Sequence, residues 1–445
     1  MKFTAQLDVD VVALESDDDI TCLLTLEAPP APQVADAPGE NLIVVVDRSG
    51  SMTGAPLESV KSALHGLANR MKQHDTLGVV AFDSRAHIVV PARPMSEHDL
   101  PTVHQLIEQM HPGGSTDLSA GYLLGLREAR RVLNHTGCSV MLLSDGHANQ
   151  GVRDHATLGQ LAITASSDQI TSTTIGIGSG YDETLLEAIA SGGSGSHRFA
   201  FTADDAQAVV AEEAGDLLNK SLINAFVRIK PSNPEHLDRI GLLHDVRRWV
   251  EAGSDGQSVL TIPLGDFYAG EQRELLVQFA IPAMAAMGEA TMAEFTIDYV
   301  TLPDLTAENI TWPMSVNVVS AGDASKRQHN PTVVTAQLIA QTQQVKKHAS
   351  DALSHGDGAS ASRMMEAEAG RLRSRASAIP AHHPEAAVLR TRLSQEERQL
   401  HKLAEGARTR ESRLARKSFM EDTSSAIRGR TDGYRQARRR ERREW

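Results

Sequence analysis

A chain of 445 residues is long enough for two or three domains rather than one. Apolar residues make up 41% and aromatics only 4%, so any cores must be built from Val, Leu, Ile and Ala; Cys22 and Cys138, the only cysteines, make neither a disulfide framework nor a zinc site. The net charge of −13 is uneven, because the stretch from Arg408 onward holds 13 basic against 6 acidic residues while the rest holds 31 against 51.

Residues 1–28 contain two strand-like runs, "KFTAQLDVDVVAL" and "DITCLLTLEA". The N-terminus lacks an apolar segment of signal-peptide length, and no run approaches the roughly 20 apolar residues of a membrane span, so a soluble, cytoplasmic protein is expected. A Pro/Ala/Gly linker, "APPAPQVADAPGE", follows. Residues 41–218 then alternate between strands and helices. "NLIVVVD" is a continuous apolar run, as in a strand buried on both faces. The next stretch carries Leu57, Val60, Leu64, Leu67 and Met71 at helical spacing behind Pro56, which suits a first turn. "TLGVVAF" and "AHIVVPA" lie close enough to form a hairpin. Helices are expected near 96–110 and over 118–133, then the strand "CSVMLLSD". A helix over 154–165, the strand "ITSTTIGIG", a helix over 182–190, the short strand "HRFAF" and a helix over 204–219 complete the series. Such alternation predicts a mostly parallel sheet with helices on both faces.

Residues 222–320 contain "INAFVRIK", "VLTIPLGD", "ELLVQFAI", "AEFTIDYV" and "MSVNVVS". Their period-2 alternation predicts an all-β sandwich. Two strands are not stable alone, so residues 1–28 should complete it, with the α/β unit inserted between the two parts. From 326 to 428 the chain reads as helical, over 332–354, 359–378, 384–404 and 408–428. One pair joined at 355–358 resembles a single tetratricopeptide-like unit, but no 34-residue period repeats. Leu389, Leu393, Leu400 and Leu403 form a thin apolar stripe that needs a partner surface. Residues 429–445 are an Arg-rich tail, with Arg435, Arg438, Arg439, Arg440, Arg442 and Arg443. It suits nucleic acid, an anionic membrane or an acidic protein face, the chain's own acidic body included.

The candidate site lies at the strand ends. In an open parallel sheet, ligands bind outside the carboxyl ends of the strands. Asp47 ends one buried strand, in "VVVDRSGSMTG", and Asp145 ends another, in "LLSDGHAN". Between them "HPGGSTDLSAG" is a Gly-rich loop with Thr116 near a helix start. Asp47, Ser49, Ser51, Thr116 and Asp145 would thus meet at one rim, with Gly114, Gly146 and Asp117 around them. Every donor is an oxygen and few are carboxylates, which suits Mg²⁺, with Mn²⁺ or Ca²⁺ as substitutes. Taken singly, Ser49 or Ser51 would cap the next helix, Asp145 would form a turn, Asp117 would cap the helix from Leu118, and His111 and His147 would be surface residues.

"DRSGS", then the threonine of "GGSTD" and the aspartate of "SDG", resemble the metal-ion-dependent adhesion site of von Willebrand factor A domains. The resemblance covers about 41–218, and "TTIGIGSGYDETLLEAIASGGSGSHRFA" is similar to the last third of such domains. It implies a doubly wound, Rossmann-like fold. Ser49 and Ser51 would bind the metal directly, Thr116 directly in a high-affinity state, and Asp47 and Asp145 often through water. One position would remain for a Glu or Asp of a partner protein. The domain order resembles bacterial intracellular proteins that work beside AAA-type ATPases as adaptors or assembly factors.

Catalytic signatures are absent from the sequence. It has no G-x-x-x-x-G-K-[ST] and no H-E-x-x-H, and "GIGSG" has Ile177 where a nucleophile elbow requires glycine. The chain therefore reads as a non-catalytic, metal-dependent protein-interaction module. An adaptor acting on nucleic acid or membrane through its tail is the alternative, and a metal-dependent hydrolase is the minor one.

Overall fold

The computed structural model describes residues 1–30, 39–178, 180–244, 246–253 and 255–408. Strands β1 (Lys2–Leu7), β2 (Val11–Ala13) and β3 (Asp18–Glu27) come first. The run read as one strand over 2–14 is two, and they belong to different sheets. Asp8 breaks it, because its Oδ1 accepts the N–H groups of Val9 and Thr21 and turns the backbone.

The α/β unit comprises β4 (Asn41–Asp47), α1 (Ala55–Arg70), β5 (Thr76–Phe82), β6 (Ala86–Pro94), α2 (Leu100–Glu108), α3 (Leu118–Val132), β7 (Cys138–Ser144), α4 (His155–Ser167), β8 (Ile170–Ile177), α5 (Glu183–Gly192), β9 (Ser194–Ala200) and α6 (Ala203–Leu217). The strand order is β6-β5-β4-β7-β8-β9, and only the β5–β6 pairing is antiparallel. Every residue of β4 is buried. Its period of two nevertheless persists. Leu42, Val44 and Val46 pack with α1, α2 and α6 on one face, and Ile43 and Val45 with α3, α4 and α5 on the other. The helix expected over 96–110 begins only at Leu100, because Asp99 accepts the Thr102 N–H and Pro101 fits the first turn.

Beyond α6 lie β10 (Lys220–Pro231), β11 (Ile240–Leu242), β12 (Trp249–Ala252), β13 (Ser258–Tyr268), β14 (Gln272–Ile281), β15 (Gly288–Thr301) and β16 (Thr306–Val319). They form two sheets with the N-terminal strands, β1-β3-β14-β11 and β12-β13-β10-β15-β16-β2. β11 and β12 are too short for their alternation to show in the sequence. Cys22, Leu24 and Leu26 of β3 meet Val227, Ile229, Phe295 and Ile297 in the shared core. Both cysteines are free and buried, and burial raises both thiol pKa values.

A short helix α7 (Ala321–Ala324) leads to α8 (Pro331–Ser354), α9 (Gly358–Ala378) and α10 (Ala386–Arg408). Leu23 and Leu276, on the outer face of the four-stranded sheet, pack against Val333, Ala336 and Ala340 of α8. The apolar stripe of α10 finds its partner within the chain, since Leu389, Leu393, Leu400 and Leu403 join a core with α8 and α9. Arg392 of α10 makes a two-pronged ion pair with Glu274 of β14. No helix among the described residues is long and apolar enough to cross a membrane.

Candidate functional site

The strand order explains where the site lies. From β4 the chain moves outward to β5 and β6, then returns to place β7 on the other side of β4. The crevice at the carboxyl ends of β4 and β7 is therefore the topological switch point of the sheet. Asp47 is the last residue of β4, Ser144 is the last of β7, and Asp145 follows in the turn beyond it.

Asp47 is fully buried. Its Oδ1 accepts the Ser49 N–H at 2.8 Å and its Oδ2 accepts the Ser144 hydroxyl at 2.6 Å. Those bonds fix the turn after β4, so that Ser49 and Ser51 present hydroxyls 3.1 Å apart. The Ser51 hydroxyl donates to Asp145 Oδ1 at 2.7 Å. Each hydroxyl has one proton, so the relay runs from Ser49 to Ser51 to Asp145 and leaves oxygen lone pairs unused. Thr116 stands on the facing loop. Its N–H donates to Asn149 Oδ1 at 2.8 Å, and its carbonyl accepts the Asn149 and Gln150 N–H groups.

Gly146 shows that these oxygens converge. A Cβ there would lie 3.2 Å from Ser51 Oγ, 3.7 Å from Thr116 Oγ1 and 3.9 Å from Ser49 Oγ. Gly114 joins the two loops, its carbonyl accepting the Gly50 N–H at 3.0 Å. Asp117 caps α3, accepting the Ala120 N–H and the Ser119 hydroxyl. Neither serine caps α1, whose N-cap is Gly54 without a side-chain bond. His111 and His147 are exposed. The tail residues Arg435, Arg438, Arg439, Arg440, Arg442 and Arg443, and the helix expected over 408–428, lie outside the described residues beyond Arg408.

The electrostatics are those of an anionic pocket without a counter-charge among the described residues. Burial pushes the Asp47 carboxyl up, against the lowering effect of its hydrogen bonds. Burial also pushes Asp145 up to about 6, with the charge of Asp47 adding to the rise. Among the described residues no cationic side chain pairs with either carboxylate. The cation next to Asp47 in sequence, Arg48, is committed to Asp83 at 2.7 Å and to the His111 carbonyl. Nor does any described group of three or more His, Cys, Asp or Glu side chains suit a metal, so a metal here would rely on hydroxyls as much as on carboxylates. A buried and a half-buried carboxylate, three converging hydroxyls and no soft donor fit a small hard cation.

Three residues organise the site without having been singled out in the sequence. Ser144 anchors Asp47, Asn149 holds the Thr116 loop, and Asp83 gathers the neighbouring turns. Asp83 receives the Arg85 N–H, its carbonyl accepts the Asp117 N–H, and a Cβ on Gly113 would fall 1.9 Å from its Oδ2. Asp83 had a signal, since "VVAFD" is a third apolar strand ending in aspartate. Ser144 and Asn149 had none beyond proximity to Asp145.

Residues 41–214 match the von Willebrand factor type A domain family. An uncharacterized protein of Synechocystis sp. is 29% identical over 261 residues, which are 58% of this chain and 61% of that protein. A probable E3 ubiquitin-protein ligase of Arabidopsis thaliana, WAVH2, is 25% identical over 67% of this chain and 42% of its own. The chain thus spans less than two thirds of either relative. Among solved structures, a von Willebrand factor type A protein from Catenulispora acidiphila superposes with a TM-score of 0.70 at 16% identity, covering 90% of this chain and 88% of the other.

Proposed function

Residues 41–214 form a von Willebrand factor type A domain, and on that premise we propose that this chain is a divalent-metal-dependent protein-interaction module, with Mg²⁺ as its ion. Domains of this family often mediate protein–protein interaction. The observation that carries the reading is the cluster of Ser49, Ser51 and Thr116 hydroxyl oxygens around Gly146, beside the buried Asp47 and half-buried Asp145 carboxylates, which have no cationic partner among the described residues.

Ser49, Ser51 and Thr116 would hold the ion, with Asp47 and Asp145 supplying the negative charge behind it. A bound Mg²⁺ supplies a Lewis-acidic position for an oxygen from outside, and a partner's Glu or Asp carboxylate is the matching ligand. The chain's own residues prepare that position. Asp47 and Ser144 fix the serine turn from below, Asn149 fixes the threonine loop from the side, and Gly146 keeps the entrance free of side chain. Ser51 is exposed while Ser49 and Thr116 are buried, so the opening faces Ser51.

Among the described residues no histidine is bonded to either serine, and both serine protons are spent in the relay to Asp145, which supports a binding role over a hydrolytic one. The ligase activity named for the Arabidopsis relative belongs to a protein of which this chain spans 42%. An AAA-type ATPase remains a proposed partner.

The test is capture of partners from the source cell by wild type and by Ser49→Ala/Ser51→Ala, each with Mg²⁺ or with EDTA. The reading expects a partner held by wild type in Mg²⁺ and lost in the other three arms. A partner set unchanged across all four arms would contradict it.

A further inference from the structure

A second cluster lies away from the rim, between α1 and α2. His65 and Asn69 stand one helical turn apart on α1, and His104 and Glu108 one turn apart on α2. The four interlock crosswise. His65 Nε2 is 2.7 Å from Glu108 Oε1, and His104 Nε2 is 3.1 Å from Asn69 Oδ1. The two Nδ1 atoms face each other at 2.5 Å, with ring centroids 4.6 Å apart. Both imidazoles are half-buried, and Glu108 and Asn69 are exposed.

Proton accounting makes this arrangement unusual. A carboxylate oxygen only accepts, so His65 Nε2 carries a hydrogen, and with Asn69 Oδ1 facing it His104 Nε2 does too. Each neutral ring then turns a bare Nδ1 lone pair toward the other, and their close approach is met by a shared proton, by an N–H once the Asn69 amide is turned, or by a metal ion between the rings.

We propose that His65 and His104 hold a divalent transition-metal ion of the zinc type through their Nδ1 atoms. The outer contacts are those expected of metal-bound histidine, in which the second ring nitrogen donates to a carboxylate or carbonyl that fixes the tautomer and raises the basicity of the ligand. Imidazole donors select zinc, copper or nickel and are poor ligands for Mg²⁺ or Ca²⁺, so this site and the serine site do not compete for one ion. Tetrahedral Zn–N bonds of about 2.0 Å place two ligand nitrogens about 3.3 Å apart. The rings therefore part by somewhat under ~1 Å on binding, which two half-exposed side chains on separate helices accommodate. The protein supplies two ligands, and water completes the shell.

The test titrates Zn²⁺ into the full chain by calorimetry with Mg²⁺ in excess, so that the serine site is already supplied. Wild type is expected to take up one zinc ion. His65→Gln/His104→Gln is expected to lose that uptake, Glu108→Gln to weaken it about tenfold, and Ser51→Ala to retain it. Cobalt in place of zinc is expected to give an absorption spectrum that the double variant lacks. Far-UV circular dichroism and the urea midpoint in EDTA establish that each variant is folded. No zinc uptake by wild type would mean that the rings share only a proton or a single N–H, and would overturn the proposal. Uptake unchanged in the double variant would overturn it as well.

Discussion

At the scale of single residues, the rim depends on what is small as much as on what is charged. Gly146 sits where any side chain would press on Ser51 Oγ, 3.2 Å from the position of its Cβ. Gly146→Val is expected to weaken Mg²⁺ uptake tenfold or more while shifting the thermal midpoint little, because the glycine is half-exposed and the branched chain intrudes on the entrance rather than on a core. Calorimetry and thermal unfolding on the same sample check both halves. The five residues that meet at the rim were legible because each ends or follows a distinctive run, an apolar strand closing in aspartate or a glycine pair before a threonine. Ser144 and Asn149 were not, since their role is to orient other residues through single hydrogen bonds, which leave no trace in spacing or hydropathy.

At the scale of elements, a buried charge cluster joins the α/β unit to the sandwich. Lys220, the first residue of β10, lies 3.0 Å from Asp266 of β13 and 3.6 Å from Glu40, which precedes β4. One ammonium therefore faces two carboxylates, and Asp75 adds a further negative charge. Lys220 is matched more closely to Asp266, and burial pushes Glu40 up to about 7, against the attraction of Lys220. A carboxyl whose pKa is raised on folding adds stability below its unfolded value of 4.5, and that stability is lost as pH rises through about 7. Lys220 stays charged throughout this window and contributes no slope. Glu40→Gln is expected to flatten the fall in stability between those two pH values, measured as urea midpoints across the range. An unchanged pH profile would show that Glu40 is ionised in the folded protein. This cluster could not be read from the sequence, because Glu40, Lys220 and Asp266 are far apart in the chain and each looks like an ordinary surface charge. Long continuous strands such as β4 and β7 were legible, whereas β11 and β12 were too short and Asp8 ended β1 by a side-chain bond with no periodic signature.

At the scale of the whole molecule, the chain after β16 serves as a cover as well as an extension. α8 lies over Leu23 and Leu276, Arg392 of α10 is clamped on Glu274, and Lys346 of α8 is buried against Glu396 of α10 at 2.7 Å. A chain ended after Ser325 is expected to bind a hydrophobic dye and to unfold at a lower temperature, since the outer face of the four-stranded sheet would lose its apolar cover. Equal dye binding by the full and shortened chains would show that this face needs no cover. Magnesium calorimetry on the purified full chain tests the chemistry of the rim most directly. One Mg²⁺ bound by wild type and none by a folded Ser49→Ala/Ser51→Ala variant is the predicted result. Absence of uptake by wild type, or uptake indifferent to the two serines, would contradict it.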